Sequence, residues 1–256
     1  MRVTLVGGSG RVGRMILPYM LEAHEVTIFD IVPPQRDDVR YVQGSALDVD
    51  DLARGLAGAE VFVNMLMKSP QGGVLRDQTL TEIRENYETN TLALHLLLYT
   101  AQTMGILRGV HSSSMTVHYR FRERFESEEG TPLDSPSVYG LTKGLGEDIC
   151  QYFARWFDMN IVALRITAPR EHESWVQEVE EPPVGSGGYR LYPTDEHDIA
   201  QAYLSAIDAV MVGHGRFDAV FIVDDPSEEL HNLSKAKRLL GWEPRSWLNA
   251  REDAGR

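Results

Sequence analysis

The sequence predicts an α/β chain built on a parallel, doubly wound sheet, and three observations carry the prediction. Apolar runs of strand length alternate with longer amphipathic stretches along the first two thirds of the chain. The strand runs are too apolar to leave a face in water, so helices must cover both sides of the sheet. A glycine-rich turn, GGSGRVG, lies between the first run and the first amphipathic stretch, where such a sheet can hold a phosphate at a helix N-terminus.

The elements follow in order. RVTLVGG is the first strand, with a helix over 11–22, and EVTIFDIV is the second strand. VRYVQGSA is the third, leading to a helix over 49–57, and AEVFVNML is the fourth, leading to a helix over 76–104. GVHSSS is the fifth, followed by a helix over 139–158, and IVALRI, ending at Ile166, is the sixth. Beyond Ile166 the sequence turns polar, and the stretch from Glu178 to Gly188, rich in acid, Pro and Gly, reads as a loop. A helix over DEHDIAQAYLSAIDAV, a strand FDAVFIV and a short helix in SKAKRLLGWEP are expected to form a small substrate-covering region, with fraying final residues. The expected division is therefore a nucleotide-binding core over 1–166 and a small region over 167–256, interleaved as one structural unit. A charged segment from Arg122 to Gly130 reads as a solvated turn.

Composition narrows the function classes. At 256 residues the chain can bury a sizeable core. Its formal net charge of -13 argues against a nucleic-acid partner, because that binding rests on a basic surface that displaces counterions. No apolar run approaches the length of a membrane span, and the opening MRVTLVGG reads as a strand and not as a leader. The single cysteine, Cys150, cannot form an internal disulfide and is read as a small buried hydrophobe in a reducing cytoplasm. The eight histidines show no HExxH-type spacing, so no catalytic metal is expected.

Gly7, Gly10 and Gly13 stand where the chain must turn tightly, approach a pyrophosphate and pack a helix on a strand. Asp30 closes the second strand, where an acid accepts hydrogen bonds from an adenosine ribose; an aspartate there also suits a simple strand-end turn. A carboxylate repels a 2′-phosphate, and Ile31 and Val32 bring no compensating cation, so NAD is expected rather than NADP. Asp48 follows the third strand, placed to meet the adenine and equally suited to cap the next helix.

SVYGLTKG places Tyr139 and Lys143 one helical turn apart. On a helix surface such a pair is an ordinary neighbour contact. At a ligand crevice it becomes a proton-transfer device, because an ammonium beside a phenol lowers the phenol pKa. The fifth strand delivers Ser112, Ser113 and Ser114 to the carboxyl edge of the sheet, where open α/β sheets bind ligands. His111 reads as a core or edge residue, and His197 as part of a helix start. Phe153, Trp156, Phe157 and the leucine-rich face of 92–98 read as core.

Together, GGSGRVG, Asp30, the Leu47–Asp48 pair, NTLALHLLLYTA from Asn90, SSSMTV, YGLTK, ALRI, HDIAQA and SKAKRLLGWEP resemble the extended short-chain dehydrogenase/reductase family over nearly the whole chain. The resemblance implies a Rossmann-type fold. It also implies NAD contacts from Gly7, Gly10, Arg11, Val12, Gly13, Asp30, Leu47, Asp48, Leu66, Asn90, Tyr139, Lys143 and Ile166. The implied catalytic set is Ser114, Tyr139 and Lys143, with Ser113 the alternative serine because SSSMTV can be slid by one position. Tyr139 would then be the acid/base, and Lys143 would bind the nicotinamide ribose and lower the Tyr139 pKa. A homodimer through the 76–104 and 139–158 helices is likewise implied.

Ninety residues follow Ile166, few walls for a ligand as large as a nucleotide sugar, so a smaller sugar-type substrate is expected. Among compact members the chain is similar to uronate dehydrogenases, which implies oxidation of a uronate or aldose to its lactone. Arg190 in GGYRLY would hold an anionic group in a bidentate fork. Met115 and Thr116 stand where that group has an Asn-His pair, and Ser69 opens a loop after the fourth strand. With Ser114 and Arg190 these are the substrate-side candidates, while Lys68 reads as a solvated loop charge. VHY in place of VYG, and ITAPREHES in place of the usual tyrosine-glycine-proline, leave substrate identity open. Two other functions also stay open: a nucleotide-sugar epimerase or dehydratase that recycles NAD, and a non-catalytic dinucleotide-binding redox sensor.

Overall fold

The computed structural model describes residues 1–68, 78–180 and 192–246. Seven strands form one sheet: β1 (Arg2–Val6), β2 (Glu25–Asp30), β3 (Arg40–Gln43), β4 (Val61–Asn64), β5 (Arg108–Ser114), β6 (Asn160–Ile166) and β9 (Phe217–Ile222). All pairings are parallel, in the order β3-β2-β1-β4-β5-β6-β9. The order reverses between β1 and β4, which opens a crevice at the carboxyl ends of the strands.

Each face is covered by helices because successive strand residues point to opposite sides. On one face α1 (Arg11–Ala23) and α7 (Glu196–Val212) place Ile16, Met20, Tyr203 and Ile207 over Leu5, Val63 and Val162. On the other, α2 (Val49–Leu56), α4 (Ala93–Thr103) and α5 (Val138–Trp156) place Leu52, Leu97, Cys150 and Phe153 over Val6, Phe62 and Ile161. The doubly wound α/β sheet read from the alternating apolar runs is the fold of the chain.

Five local readings change. The helix expected over 76–104 is, from Leu80 onward, α3 (Leu80–Tyr87), one π turn (Glu88–Leu92) and α4, and the π turn brings Asn90 inward as a buried residue. FDAVFIV is not a cover: as β9 it joins the main sheet beside β6, and α7 packs on β5 and β6. The apolar face of β6 demands a neighbour, and Val220 and Ile222 supply it. The polar stretch after Ile166 holds β7 (Pro169–Arg170) and α6 (His172–Glu180), and β7 pairs with β8 (Thr194–Asp195). Trp175 is fully buried there and donates its indole N–H to the Pro193 carbonyl at 3.0 Å, so one aromatic anchors a segment without a long apolar stripe.

The fourth change concerns Arg122 to Gly130, which is not simply a solvated turn. Phe125 is buried and stacks on His231 with ring centroids 4.9 Å apart. Buried Glu128 accepts the Phe221 amide of β9 at 2.9 Å, which covers part of an otherwise open sheet edge. Of the three aromatics at the end of α5, Phe153 is buried and Phe157 packs against it, but Trp156 is 64% exposed and is not core. α8 (Ser234–Leu240) packs on β9 and α7. No helix among the described residues is long and apolar enough to cross a membrane.

Candidate active site

At the reversal point the first turn is built for close approach. Gly7 has φ +81°, and a Cβ there would lie 3.0 Å from the Leu66 amide nitrogen. A Cβ on Gly13 would lie 2.1 Å from the Gly8 carbonyl oxygen, so α1 can seat on the turn only with glycine at that position. α2, α3, α5 and α7 each have a side-chain cap, from Asp48, Thr79, Ser137 and Asp195. α1 starts at Gly10 with no side-chain cap and no acid in its first turn. Its leading amides, next to Arg11 and Val12, are thus left to face an anion, which fits a dinucleotide pyrophosphate.

Asp30 is tied to that turn. Its carboxylate accepts the Ser9 amide at 3.0 Å and the Val32 amide at 3.1 Å, while the Ser9 hydroxyl donates to the Val32 carbonyl at 2.7 Å. Asp48 accepts from the Asp50 and Asp51 amides at 2.9 and 3.0 Å, so its capping role is realised, with Leu47 exposed beside it.

Ser114, Tyr139 and Lys143 come together at the carboxyl ends of β4 and β5. Ser114 is buried, caps the short 3-10 turn Met115–Val117 and donates to the Thr116 hydroxyl at 2.9 Å. The Ser114 hydroxyl is also near enough to the Tyr139 phenol to favour its ionised form. The Tyr139 hydroxyl donates to the Met67 sulfur at 3.1 Å. Lys143 is almost fully buried, and its ammonium donates to the Ser112 carbonyl at 2.8 Å and the Leu66 carbonyl at 3.1 Å. Ile166 lies in register with Ser114 on the neighbouring strand. Asn90 accepts the Lys68 amide at 3.0 Å and donates to the Thr142 hydroxyl at 3.0 Å, which links the loop after β4 to α5. Lys68 itself pairs with Glu85 at 3.0 Å. Met115 packs against the core, and Thr116 is exposed. Ser69 and Arg190 lie outside the described residues.

Residues 3–169 match the model of the NAD dependent epimerase/dehydratase family. The chain belongs to that family. It is 20% identical to an NAD-dependent glucose-6-phosphate dehydrogenase of Haloferax volcanii, over 94% of this chain and 92% of that protein. It is 23% identical to an L-arabinose 1-dehydrogenase (NAD(P)(+)) of the same organism, over 95% of this chain and 96% of that protein. It is also 25% identical to a uronate dehydrogenase of Pseudomonas syringae pv. tomato, over 64% of this chain and 58% of that protein. Among solved structures, the fold is similar to that of MoeE5 in complex with UDP-glucuronic acid and NAD, with a TM-score of 0.79 at 18% identity over 96% of this chain and 94% of that one. A mutated uronate dehydrogenase aligns with a TM-score of 0.75 at 20% identity, over 100% of this chain and 86% of that one.

As an epimerase/dehydratase-family enzyme, the chain carries an electrostatic detail the sequence did not show. Burial pushes the Tyr139 phenol up to about 12, and the Ser114 hydroxyl beside it only partly offsets this. Lys143 is not among the groups that move it, contrary to the expected lowering. Burial also brings Lys143 down to about 8, against the opposing pull of Cys150 and Glu147.

Behind the triad lies a buried network that motif reading missed. Ser113 donates to Glu147, and Arg165 grips the same carboxylate through Nε at 2.9 Å and Nη2 at 2.6 Å. Arg165 also donates to the Glu128 carbonyl at 2.9 Å and lies 3.2 Å from His118 Nε2. Burial brings His118 down to about 4, so it is neutral at pH 7. On the other side, Asn64 bonds to His111 Nδ1 at 2.9 Å and accepts the Leu66 amide at 3.2 Å. That contact steadies the carbonyl that holds Lys143. The only sequence signal for Glu147 was its spacing: 139, 143 and 147 lie on one helix face.

Proposed function

We propose that the chain is an NAD-dependent sugar dehydrogenase that oxidises the anomeric carbon of a uronate or aldose to the lactone. The observation that carries this reading is the convergence of Ser114, Tyr139 and Lys143 at the strand ends that flank the glycine turn, with the Tyr139 hydroxyl on the Met67 sulfur and the Lys143 ammonium on the Leu66 and Ser112 carbonyls. The three curated relatives, whose names give a sugar phosphate, a pentose and a uronate as substrates, support the same reaction class.

Ser114 would hold the substrate hydroxyl, and Tyr139, as the phenolate, would take its proton while the anomeric C–H bond gives up hydride. Burial alone holds the phenol near 12, so the phenolate would form only with the cationic ring of the bound cofactor and the Lys143 ammonium beside it. The bound dinucleotide supplies the hydride acceptor. Gly7, Gly10, Arg11, Val12, Gly13, Asp30, Leu47, Asp48, Leu66, Asn90, Lys143 and Ile166 would hold it. Asp30 supports NAD over NADP, because Ile31 and Val32 bring no cation to its carboxylate and Arg36, nearby in sequence, is paired with Asp38. Ser69, Met115, Thr116 and Arg190 would face the sugar.

The same reading includes a homodimer. Leu92, Tyr99, Tyr152 and Trp156 are exposed on α5 and on α4 with the π turn before it, and the Tyr152 ring stacks on His95 with centroids 6.4 Å apart, which makes the apolar surface continuous between the helices.

The test is a panel of free uronates, aldoses and nucleotide sugars with NAD, followed at the nicotinamide absorbance. Net NADH formation with a free sugar or uronate is expected, and Tyr139→Phe should abolish it while dinucleotide binding remains. A nucleotide sugar epimerised with no net absorbance change would replace the dehydrogenase reading. Turnover unaffected by Tyr139→Phe would remove the assigned acid/base.

A further inference from the structure

Far from the triad in sequence, three side chains converge on one point. Asp195, fully buried at the start of α7, bonds to His172 Nδ1 through one oxygen at 2.6 Å and to His197 Nδ1 through the other at 2.7 Å. The ligand-type atoms of the three lie within 4.8 Å of one another. The two imidazoles meet edge to face with centroids 4.7 Å apart, and their side chains are 46% and 48% exposed. None of these groups belongs to the proposed catalytic set.

We infer that His172, Asp195 and His197 form a binding site for a divalent transition-metal ion, Zn²⁺ being the best fit, which staples the start of α6 to the β8–α7 turn. Two imidazole nitrogens and one carboxylate oxygen are a three-ligand set suited to tetrahedral Zn²⁺ with water in the fourth position. In such a centre ligand atoms stand roughly 3.3 Å apart, from bond lengths of about 2.0–2.1 Å. The two nitrogen–oxygen separations, 2.6 and 2.7 Å, would open by roughly half an ångström or slightly more, and the widest separation of the set, within 4.8 Å, would close toward the same value; the two half-exposed rings can supply both changes by side-chain rotation while Asp195 stays fixed.

Asp195 is well placed to be the rigid member. Its amide donates to Asp224 at 3.1 Å, its backbone pairs with Arg170 across the β7–β8 ladder, and its carboxylate accepts the His197 amide at 2.7 Å. Arg170 gives its guanidinium to Glu178 at 2.7 Å. The positive end of the α7 dipole opposes a cation here. Against it stand the carboxylates of Asp195 at the N-cap and Glu196 in the first turn. The sequence hid this site because His172 is 23 residues from Asp195 and the β7–β8 pairing and the Trp175–Pro193 bond bring them together in space.

The test uses the full chain, stripped with chelator and titrated with Co²⁺ as an optical probe. Expected are saturable visible d–d bands at one equivalent, displaced by Zn²⁺, and a rise in unfolding temperature on adding Zn²⁺. His172→Ala and His197→Ala should each weaken binding by about tenfold or more, whereas His95→Ala, at an exposed position of α4, should leave it unchanged. Far-UV circular dichroism and retained dinucleotide binding check that the variants fold. Absence of a saturable Co²⁺ band, or equal binding by wild type and both site variants, would overturn the site and leave only an aspartate hydrogen-bonded to two histidines.

Discussion

Ser113 and Ser114 are consecutive on β5, yet their hydroxyls have separate tasks: Ser113 donates to buried Glu147, whereas Ser114 donates to Thr116 beside the Tyr139 phenol. Strand alternation sends neighbours to opposite faces, and Ser112, two before Ser114, accordingly meets Tyr203 of α7. Ser114→Ala should lower kcat by about a hundredfold or more, since it removes the group that aligns the proton transfer. Ser113→Ala should change kcat little and destabilise the fold by roughly 1–3 kcal/mol, because Glu147 loses a buried donor. Steady-state kinetics and urea denaturation on both variants separate the two; the reverse pattern would reassign the catalytic serine.

The second expectation concerns Lys143, whose pKa falls from 10.5 to about 8 on burial. Between those values the unfolded chain binds the proton more tightly than the folded one, so this group makes stability rise with pH across that window. Its full contribution is about 3 kcal/mol. Tyr139 has the opposite sign, because a phenol held up to about 12 loses stability as pH climbs above its ordinary 10. Denaturation at about pH 7.5, 8.5 and 9.5 should therefore show wild type gaining relative to Lys143→Met. Parallel profiles for the two proteins would mean that Lys143 is not desolvated as described.

For cofactor choice, Asp30 and Val32 are the positions to change. Asp30→Asn keeps an acceptor for the Ser9 amide and removes the charge, and Val32→Arg adds a cation for a 2′-phosphate. The ratio of kcat/KM for NAD over NADP should fall by about tenfold or more in the double variant, the equivalent of at least ~1.4 kcal/mol. An unchanged ratio would place the adenosine ribose elsewhere.

Trp156 offers a check on assembly. It is 64% exposed and lies under the Arg155 guanidinium, 5.1 Å from its ring centroid. Trp156→Glu should shift a dimer to a monomer in sedimentation velocity, because a charge in the centre of an apolar contact stays unpaired. A wild-type protein that sediments as a monomer at all concentrations would remove the proposed interface.

The order of strands as far as β6, the parallel sheet, the glycine turn and the Tyr139–Lys143 pair were all legible in the sequence, because each depends on local periodicity or on spacing within one turn or one strand. Which serine meets the phenol, why that phenol is held near 12, how Glu147 and Arg165 support the site from behind, and where His172, Asp195 and His197 converge were decided by the tertiary structure alone. Those properties arise from burial and from contacts between segments far apart in the chain. A one-dimensional pattern carries neither the desolvation of a group nor the identity of its distant neighbour.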